Sequence, residues 1–198
     1  MKIAIVYHSV TGTTAQLAEA VAAGCRSVTS VDPDLVCIEG ADIQQGRYKN
    51  SGVLELIDQA DAVIFGSPTF MGSVSAQFKA FADATAGERW GQQRWADKVA
   101  AGFTVGSSYS GDLLHTLHYL QILAAQHGML WLSLALAGAT DQKAPNQLGA
   151  QAGLIVRAVQ GEVETPDLQT AFYLGQRVAH MVGQLKPDRH NSELIRQL

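Results

Sequence analysis

Basic residues are sparse in this sequence and are nowhere concentrated. The 198 residues include 14 lysines and arginines against 18 aspartates and glutamates, which gives a formal net charge of −4 and a pI near 5.8. A protein that binds nucleic acid needs a dense positive surface to contact phosphates, and no run of basic residues provides one here. We therefore expect no nucleic-acid partner.

Long apolar runs and cysteine pairs are also missing. The cleanest apolar stretch, residues 128–139, is shorter than the ~20 residues that cross a bilayer, so we expect no membrane span. The two cysteines, Cys25 and Cys37, have no CxxC spacing, which argues against a disulfide framework and a structural zinc site. We interpret both as reduced core residues of a cytoplasmic protein and predict no metal site.

The apolar residues, 47% of the chain, instead follow a βα pattern that predicts one domain over residues 1–198. Continuous β-rich runs predict buried parallel strands, and the stretches between them have helical spacing. Weak periodicity and several glycines predict a long excursion at residues 136–165, and residues 187–198 read as a polar tail. The predicted strands are residues 3–7, 35–38, 62–65, 98–104 and 129–134, and the predicted helices are residues 13–25, 53–59, 76–84, 112–126 and 166–184.

The loop after the first predicted strand, residues 9–14, is rich in hydroxyl groups and contains no lysine or arginine. It matches neither GxxxxGK[ST] nor GxGxxG, which argues against an NTPase and against NAD bound in the Rossmann manner. The start of a helix attracts anions, so this loop favours a phosphate monoester as ligand. An ordinary N-cap is the alternative, since serine and threonine are common there without any ligand.

Residues 5–21 resemble the flavodoxin signature at every defined position: aliphatic, aromatic, hydroxyl, small, threonine, alanine and aliphatic residues occur in the required order. Residues 66–72 and 104–112 resemble the second and third flavin loops of the WrbA-type quinone oxidoreductases. Phe70 and Met71 depart from that pattern, which commonly has arginine and phenylalanine there, and Ser110 replaces a histidine. The resemblance implies a flavodoxin-like α/β fold, with a five-stranded parallel sheet in the order 2-1-3-4-5 and helices on both faces.

The resemblance also implies FMN as cofactor and a homo-oligomer, either a dimer or a tetramer. It assigns Trp90 to a substrate or subunit contact, with an ordinary core or surface tryptophan as the alternative. Tyr109 is either a residue that stacks on the flavin or a half-exposed loop tyrosine. The implied cofactor-binding residues are Ser9, Val10, Thr11, Gly12, Thr13, Thr14, Pro68, Thr69, Phe70, Met71, Gly72, Thr104, Gly106, Ser107, Ser108, Tyr109, Gly111 and Asp112.

The three loops contain one acidic residue, Asp112. A negative field that weak permits a two-electron-reduced flavin, which suits hydride transfer from NAD(P)H and then to a quinone. We therefore expect an FMN-dependent NAD(P)H:quinone oxidoreductase with a small-molecule quinone or similar acceptor. The alternatives are a flavodoxin-like one-electron carrier and a non-catalytic FMN-binding regulatory module, and the preference between NADH and NADPH stays open.

Overall fold

The computed structural model describes residues 1–138, 141 and 143–185, so the predicted polar tail at residues 187–198 lies outside the described residues. None of the helices in this part of the chain is both long and apolar enough to span a membrane. The strands are β1 (Lys2–Tyr7), β2 (Asp32–Cys37), β3 (Ile43–Gln44), β4 (Arg47–Tyr48), β5 (Ala62–Phe70), β6 (Ser73–Val74), β7 (Val99–Gly106), β8 (Leu130–Trp131) and β9 (Leu154–Arg157). The helices are α1 (Thr13–Arg26), α2 (Ser51–Gln59), α3 (Ala76–Ala84), α4 (Glu88–Gly91), α5 (Leu113–Gln126) and α6 (Thr165–Leu185), with a turn of 3-10 helix at Gly40–Asp42.

The five main strands are parallel and adjacent in the order β2-β1-β5-β7-β8. In chain order this is 2-1-3-4-5, so the predicted fold class and strand order are confirmed. The βα alternation requires this arrangement, because parallel neighbours need crossover connections that place helices over the faces of the sheet. The two short strands β3 and β4 form a separate hairpin that the sequence pattern did not predict.

The sheet is buried on both faces, as the unbroken apolar runs of its strands indicate. Alternate residues of β1 contribute to two cores: Ile3 and Ile5 pack with α1 and α6, whereas Ala4 and Val6 pack with α2, α3 and α5. Both cores thus consist of a sheet face covered by helices. This three-layer packing fixes the strands and leaves the loops at their carboxyl ends free to form a site.

The fifth strand position is occupied by two separate strands, which corrects the predicted strand at residues 129–134. β8 pairs with the first half of β7, and β9 pairs with its second half, from Phe103 to Gly106. β8 and β9 lie at the same edge of the sheet, where Trp131 Nε1 donates to the Ala152 carbonyl oxygen at 2.7 Å. The predicted excursion at residues 136–165 therefore contains a strand, because its residues 154–157 complete the unfilled edge of β7.

Helices α1 and α6 touch through their backbones at two glycines. A Cβ placed on Gly24 is 1.9 Å from the carbonyl oxygen of Phe172, and a Cβ on Gly175 is 1.9 Å from that of Val21. The Cys25 thiol donates to the carbonyl oxygen of Gly175 at 3.3 Å, and burial raises the pKa of this thiol to about 12. Cys25 is therefore a packing residue of the helix contact, and its raised pKa argues against a reactive thiolate.

His127, at the end of α5, makes the stability of the fold dependent on pH. Thr85 donates to the Ala82 carbonyl oxygen, so His127 Nε2 at 2.8 Å donates to the threonine oxygen, and the buried Nδ1 is left without a partner. Burial lowers the pKa of His127 below 6.5, although Asp58 acts in the opposite direction. Below pH 6.5 the unfolded chain therefore binds more protons at this site, and the free energy of unfolding falls as the pH falls.

We expect His127→Gln to flatten this pH dependence. Urea denaturation at pH 7.5 and pH 5.5 measures it: the wild type should lose more stability between the two values than the variant does. The exposed residue His118 on the same helix provides the control, because His118→Gln should keep the wild-type dependence. Equal losses in the wild type and His127→Gln would contradict the prediction.

Candidate functional site

The carboxyl ends of β1, β5 and β7 meet at one edge of the sheet, and the three predicted loops follow them. The register pairs Tyr7 with Gly66 and Pro68 with Val105, so the strands end at similar heights. The His8 amide donates to the Gly66 carbonyl oxygen at 3.1 Å, which connects the first loop to β5. Ligands of open α/β sheets bind at this kind of edge.

The first loop turns into α1 at Gly12, which has φ +89° and contributes no side-chain cap. Glycine suits this left-handed position because a Cβ is strained there. The first helical residues, Thr13 and Thr14, have amide groups that no helical carbonyl can reach, and the first turn has no acidic residue. The buried hydroxyl of Thr14 has no hydrogen-bond partner. These features leave the start of the helix available to an anion.

The other hydroxyls of the first loop have different surroundings. Ser9 Oγ accepts from the Ala15 amide at 3.3 Å, so the predicted alternative of an ordinary capping serine applies in part to Ser9. Thr11 Oγ1 and Thr13 Oγ1 lie 3.3 Å apart, and the Thr11 side chain is exposed. Val10 is 61% exposed beside them. The loop thus presents both hydroxyl groups and an apolar side chain toward solvent.

The second predicted loop, residues 66–72, is mostly strand, which corrects the sequence reading. β5 continues through Phe70 and pairs with β6 in a hairpin whose turn is Met71 and Gly72. Both turn residues have positive φ, 47° and 79°, as two-residue hairpin turns of this type require. The hairpin extends the strand past the sheet edge and exposes Phe70 and Met71 at its tip.

A chain of hydroxyl contacts fixes the base of this hairpin. Thr69 Oγ1 lies 2.8 Å from Thr104 Oγ1 and 2.7 Å from Thr116 Oγ1, which links β5 to β7 and α5. Thr104 donates to the Ser67 carbonyl oxygen at 2.8 Å and is fully buried. The buried side chain of Thr104 therefore stabilises the base of the hairpin through Thr69 and Ser67. Pro68 is buried within the strand.

The third loop leads from β7 to α5 and is mostly exposed, including Ser107, Ser108, Tyr109, Gly111 and Asp112. Gly72 of the hairpin faces this loop, since a Cβ on it is 3.7 Å from the Asp112 Cβ. His115 Nδ1 and the Gly72 carbonyl oxygen are 2.7 Å apart, so the first turn of α5 holds the hairpin tip. The structure therefore brings the second and third predicted loops together.

The structure adds Arg157, which sequence reasoning missed. It ends β9 and pairs with Gly106, and its guanidinium Cζ lies 4.3 Å from the centre of the Tyr109 ring. The loop that follows β9 also reaches α1, because Gln16 Nε2 donates to the Gly161 carbonyl oxygen at 3.2 Å. The signal available in the sequence was the short β-rich run at residues 154–157 inside the predicted excursion.

Trp90 lies away from these loops. Gln93 Nε2 donates to the carbonyl oxygens of both Trp90 and Gln126, which places Trp90 beside the last residue of α5, at the opposite end from Asp112. Its side chain is 48% exposed in a mostly apolar groove formed with Tyr119, Ile122 and other residues of α3 and α5. Within one chain, therefore, Trp90 does not join the cofactor-binding loops.

The chain itself offers little redox or metal chemistry at this edge. Burial and the nearby Glu39 carboxylate raise the pKa of the Cys37 thiol to about 11, so it stays protonated near neutral pH. Burial lowers the pKa of His8, which keeps that ring neutral. In the part of the chain that the structure describes, no cluster of three or more histidine, cysteine or acidic side chains is arranged to bind a metal. Redox chemistry at the site thus depends on a bound cofactor.

The residues present fit FMN. The open start of α1, with the unpartnered Thr14 hydroxyl, suits a phosphate, and the exposed Phe70, Met71 and Tyr109 suit a planar ring. The residues predicted to contact the phosphate and those predicted to contact the ring lie at one sheet edge, and their contacts with FMN stay predictions.

Comparisons with known proteins agree with this arrangement. The family model of NADPH-dependent FMN reductases matches residues 1–142. The chain is 36% identical to flavodoxin FldP of Pseudomonas aeruginosa, over 93% of this chain and 98% of that protein. It is 34% identical to an NAD(P)H dehydrogenase (quinone) of Archaeoglobus fulgidus, with the same two coverages. The solved structure of a flavodoxin, WrbA-like protein from Agrobacterium tumefaciens is 38% identical, with a TM-score of 0.74 over 93% of this chain and 99% of that chain.

The matched residues include the three loops at the carboxyl ends of β1, β5 and β7, and the relatives are similar over nearly their whole length. The chain belongs to the NADPH-dependent FMN reductase family and is an FMN-dependent NAD(P)H oxidoreductase of the flavodoxin-like, WrbA type.

Proposed function

We propose that this protein transfers two electrons from NAD(P)H to a quinone through FMN bound at the carboxyl edge of the sheet. The observation that carries the proposal is the open start of α1, where Thr14 Oγ1 is buried without a partner beside two free amides. A phosphate monoester supplies the acceptor oxygens that these donors need.

Different residues of the chain bind the phosphate and the isoalloxazine ring of FMN. The amides of Thr13 and Thr14 and the neighbouring hydroxyls hold the phosphate. The hairpin tip at Phe70 and Met71 and the ring of Tyr109 contact the isoalloxazine, with Gly72 and Gly111 leaving room for a flat substrate. Bound FMN supplies the redox chemistry, because it accepts a hydride and passes the electrons on.

The acceptor is inferred from shape and from the relatives. Phe70, Met71 and Tyr109 are 48%, 104% and 70% exposed, so each offers apolar area suited to a flat ring such as a quinone. The relative from Archaeoglobus fulgidus is named NAD(P)H dehydrogenase (quinone), as are several others. We infer that donor and acceptor occupy the same flavin face in turn.

One-electron transfer is a second candidate function, because the 36% identical relative from Pseudomonas aeruginosa is named a flavodoxin. A one-electron carrier stabilises the half-reduced flavin by a negative field that penalises full reduction. The three loops here contain only Asp112 as an acid, which favours the two-electron reaction. Photoreduction followed by absorbance separates the two: a half-reduced flavin that accumulates would favour the carrier.

The first experiment is the absorbance spectrum of the purified protein, followed by titration of the FMN-free protein with FMN. We expect a yellow protein that oxidises NADH or NADPH when benzoquinone is added. A protein that is colourless and stays so with FMN would favour a non-catalytic module. One that binds FMN but does not reduce benzoquinone would contradict the enzymatic proposal alone.

Thr14→Val tests the phosphate site with opposite effects on stability and binding. The substitution keeps the shape and removes a buried unpartnered hydroxyl, so the FMN-free protein should gain about 1 kcal/mol in the free energy of unfolding. Loss of a hydrogen bond to a charged phosphate should raise the Kd for FMN about 10-fold to 100-fold. Denaturation and fluorescence titration measure the two quantities. An unchanged Kd would remove Thr14 from the phosphate site.

The predicted homo-oligomer is the second part of the proposal, with Trp90 at a subunit contact. In its groove, Trp90 is 48% exposed and Ile122 is 61% exposed. Together they provide apolar surface of the kind that subunits bury. We expect light scattering to show a dimer or tetramer and Trp90→Glu to raise its dissociation constant at least about 10-fold. Leu185→Glu, at an exposed residue on α6, is the control. A monomeric wild type would contradict the proposal.

A further inference from the structure

Arg157 connects the split fifth strand to the flavin site. It is the last residue of β9, and the amide of the next residue, Ala158, donates to the carbonyl oxygen of Gly106 at 2.9 Å. The side chain therefore begins beside the backbone that leads into the third loop. Its guanidinium Cζ lies 4.3 Å from the centre of the Tyr109 ring, which is a cation–π contact.

In the described part of the chain, no carboxylate forms an ion pair that would neutralise the positive charge of Arg157. Its side chain is half-buried, and its Nε is buried without a hydrogen-bond partner. Within residues 1–138, 141 and 143–185, no ion pair involves Arg157. A partly buried cation without a counter-charge is unfavourable, so it favours any state that places negative charge nearby.

This cation changes the electrostatics of the loops. Residues 9–14, 66–72 and 104–112 contain neither lysine nor arginine, and Asp112 is their one acidic residue. Arg157 comes from a segment 45 residues further along the chain than Asp112 and reaches the third loop because β9 pairs with β7. The tertiary structure therefore adds a positive charge to a site whose own loops have a formal charge of −1.

We propose that Arg157 is a positioning residue that holds the Tyr109 ring for contact with the isoalloxazine and whose charge favours the reduced, anionic FMN. The inference rests on the proposed FMN site. Tyr109 is 70% exposed although the guanidinium covers part of it, so it retains surface for a planar ring. Oxidised isoalloxazine is neutral, whereas the fully reduced ring carries a negative charge near neutral pH, so the cation acts mainly on the reduced form.

This difference is measurable as a potential. The difference between the two-electron potentials of bound and free FMN is proportional to the logarithm of the ratio of the dissociation constants of the oxidised and reduced forms. Removing the Arg157 charge should weaken binding of the reduced form about tenfold more than binding of the oxidised form. For a two-electron couple, that ratio lowers the midpoint potential by about 30 mV.

The experiment compares Arg157→Gln, Arg157→Lys and Arg177→Gln, with FMN bound, by equilibration with a redox dye of known potential. Arg177 is the matched control, because it is also half-buried but lies on α6, where its Nε donates to the Ser133 carbonyl oxygen. Arg157→Gln should lower the potential, Arg157→Lys should retain about half of the wild-type effect because it keeps charge without the planar stack, and Arg177→Gln should change nothing.

A second measurement tests the role of Tyr109. The Kd for oxidised FMN, measured by fluorescence titration, should rise about threefold in both Arg157→Gln and Tyr109→Leu and no further in the double variant, because both disturb one stack. Circular dichroism of the FMN-free variants checks that they fold, since binding data from an unfolded variant carry no information about the site. The readouts are thus a potential and an affinity, independent of turnover.

The outcomes separate the inference from the proposed function. If the wild type binds FMN and Arg157→Gln leaves its potential unchanged, the inference is overturned and the FMN site stands. A raised KM for NADPH with an unchanged potential also overturns it and assigns Arg157 to the dinucleotide instead. If the wild type does not bind FMN, the proposed function and the inference fall together.

Discussion

Gly175→Ala is expected to lower the free energy of unfolding by about 3 kcal/mol or more, because the added methyl group has no space. Its Cβ would lie 1.9 Å from the Val21 carbonyl oxygen and 3.1 Å from the Cys25 amide nitrogen, both of which belong to the α1 backbone. A backbone cannot rotate away as a side chain does, so the two helices must separate. Separation opens the core in which Leu174 and Val178 pack with α1.

Thermal denaturation measures the effect, which corresponds to a decrease of at least about 6 °C in Tm for a chain of this length. The matched control is Gly183→Ala on the same helix. There, among the described residues, the Cβ meets only the side chain of Met1, at 3.8 Å, and the helix gains the better propensity of alanine. Gly183→Ala should therefore be neutral or stabilising by up to about 1 kcal/mol. A Gly175→Ala protein as stable as the wild type would contradict the observed helix spacing.

Thr11→Glu is expected to weaken FMN binding by about 10³-fold while leaving the FMN-free protein folded. Thr11 is exposed just before the start of α1, so the longer side chain has space. A carboxylate near the positive end of the helix dipole should stabilise the FMN-free protein by about 0.5 kcal/mol. The same charge repels the phosphate dianion by about 4 kcal/mol or more at about 4 Å, which corresponds to an increase in Kd of about 10³-fold.

The expected gain in stability of the FMN-free protein and the expected loss of FMN affinity make this result specific to a bound phosphate. Thr11→Gln has nearly the same size without the charge, and we expect it to raise the Kd less than about 10-fold. Isothermal titration with FMN measures the affinities, and urea denaturation without FMN measures the stability. Riboflavin, which lacks the phosphate, should bind both variants alike. Similar FMN affinities for Thr11→Glu and Thr11→Gln would place the phosphate elsewhere.

The fold was largely predictable because its signals are local. The unbroken apolar run in β1 and the helical spacing in α1 predict these elements without any knowledge of their neighbours. α3 was predicted at its observed bounds, 76–84, and in the structure Ser75 caps its start by accepting from the Phe78 amide. The βα alternation then leaves few arrangements other than a parallel sheet.

The position of the fifth strand was predicted correctly but its extent was not, because the signal for the rest of that sheet edge is not local. Residues 129–134 have the apolar content of a strand, yet only Leu130–Trp131 pair with β7. The remainder of that edge is filled by β9, from the segment interpreted as an excursion. Four residues are too few for periodicity to distinguish a strand from a loop, and pairing with β7 supplies the missing hydrogen bonds.

The features of the candidate site also divide into those with a local sequence signal and those that depend on distant segments. The hydroxyl-rich loop before α1 was predictable as an element, because its hydroxyl groups lie in consecutive residues at the start of one helix; its role in binding phosphate stays a prediction. The hairpin at Met71–Gly72 was not, since Pro68 and Gly72 read as loop residues while the ladder with β6 extends the strand. Arg157 was also missed, because its place beside Tyr109 depends on a strand pairing between distant segments.

The sequence by itself determined the alternation of strands and helices and the hydroxyl-rich turn where we propose that a phosphate binds, because each depends on neighbours within a few residues. Only the tertiary structure decided which cation reaches the flavin loops, how far β5 extends past the sheet edge, and how closely α1 and α6 approach. These features arise from contacts between segments far apart in the chain, and such contacts leave no periodic pattern in either segment.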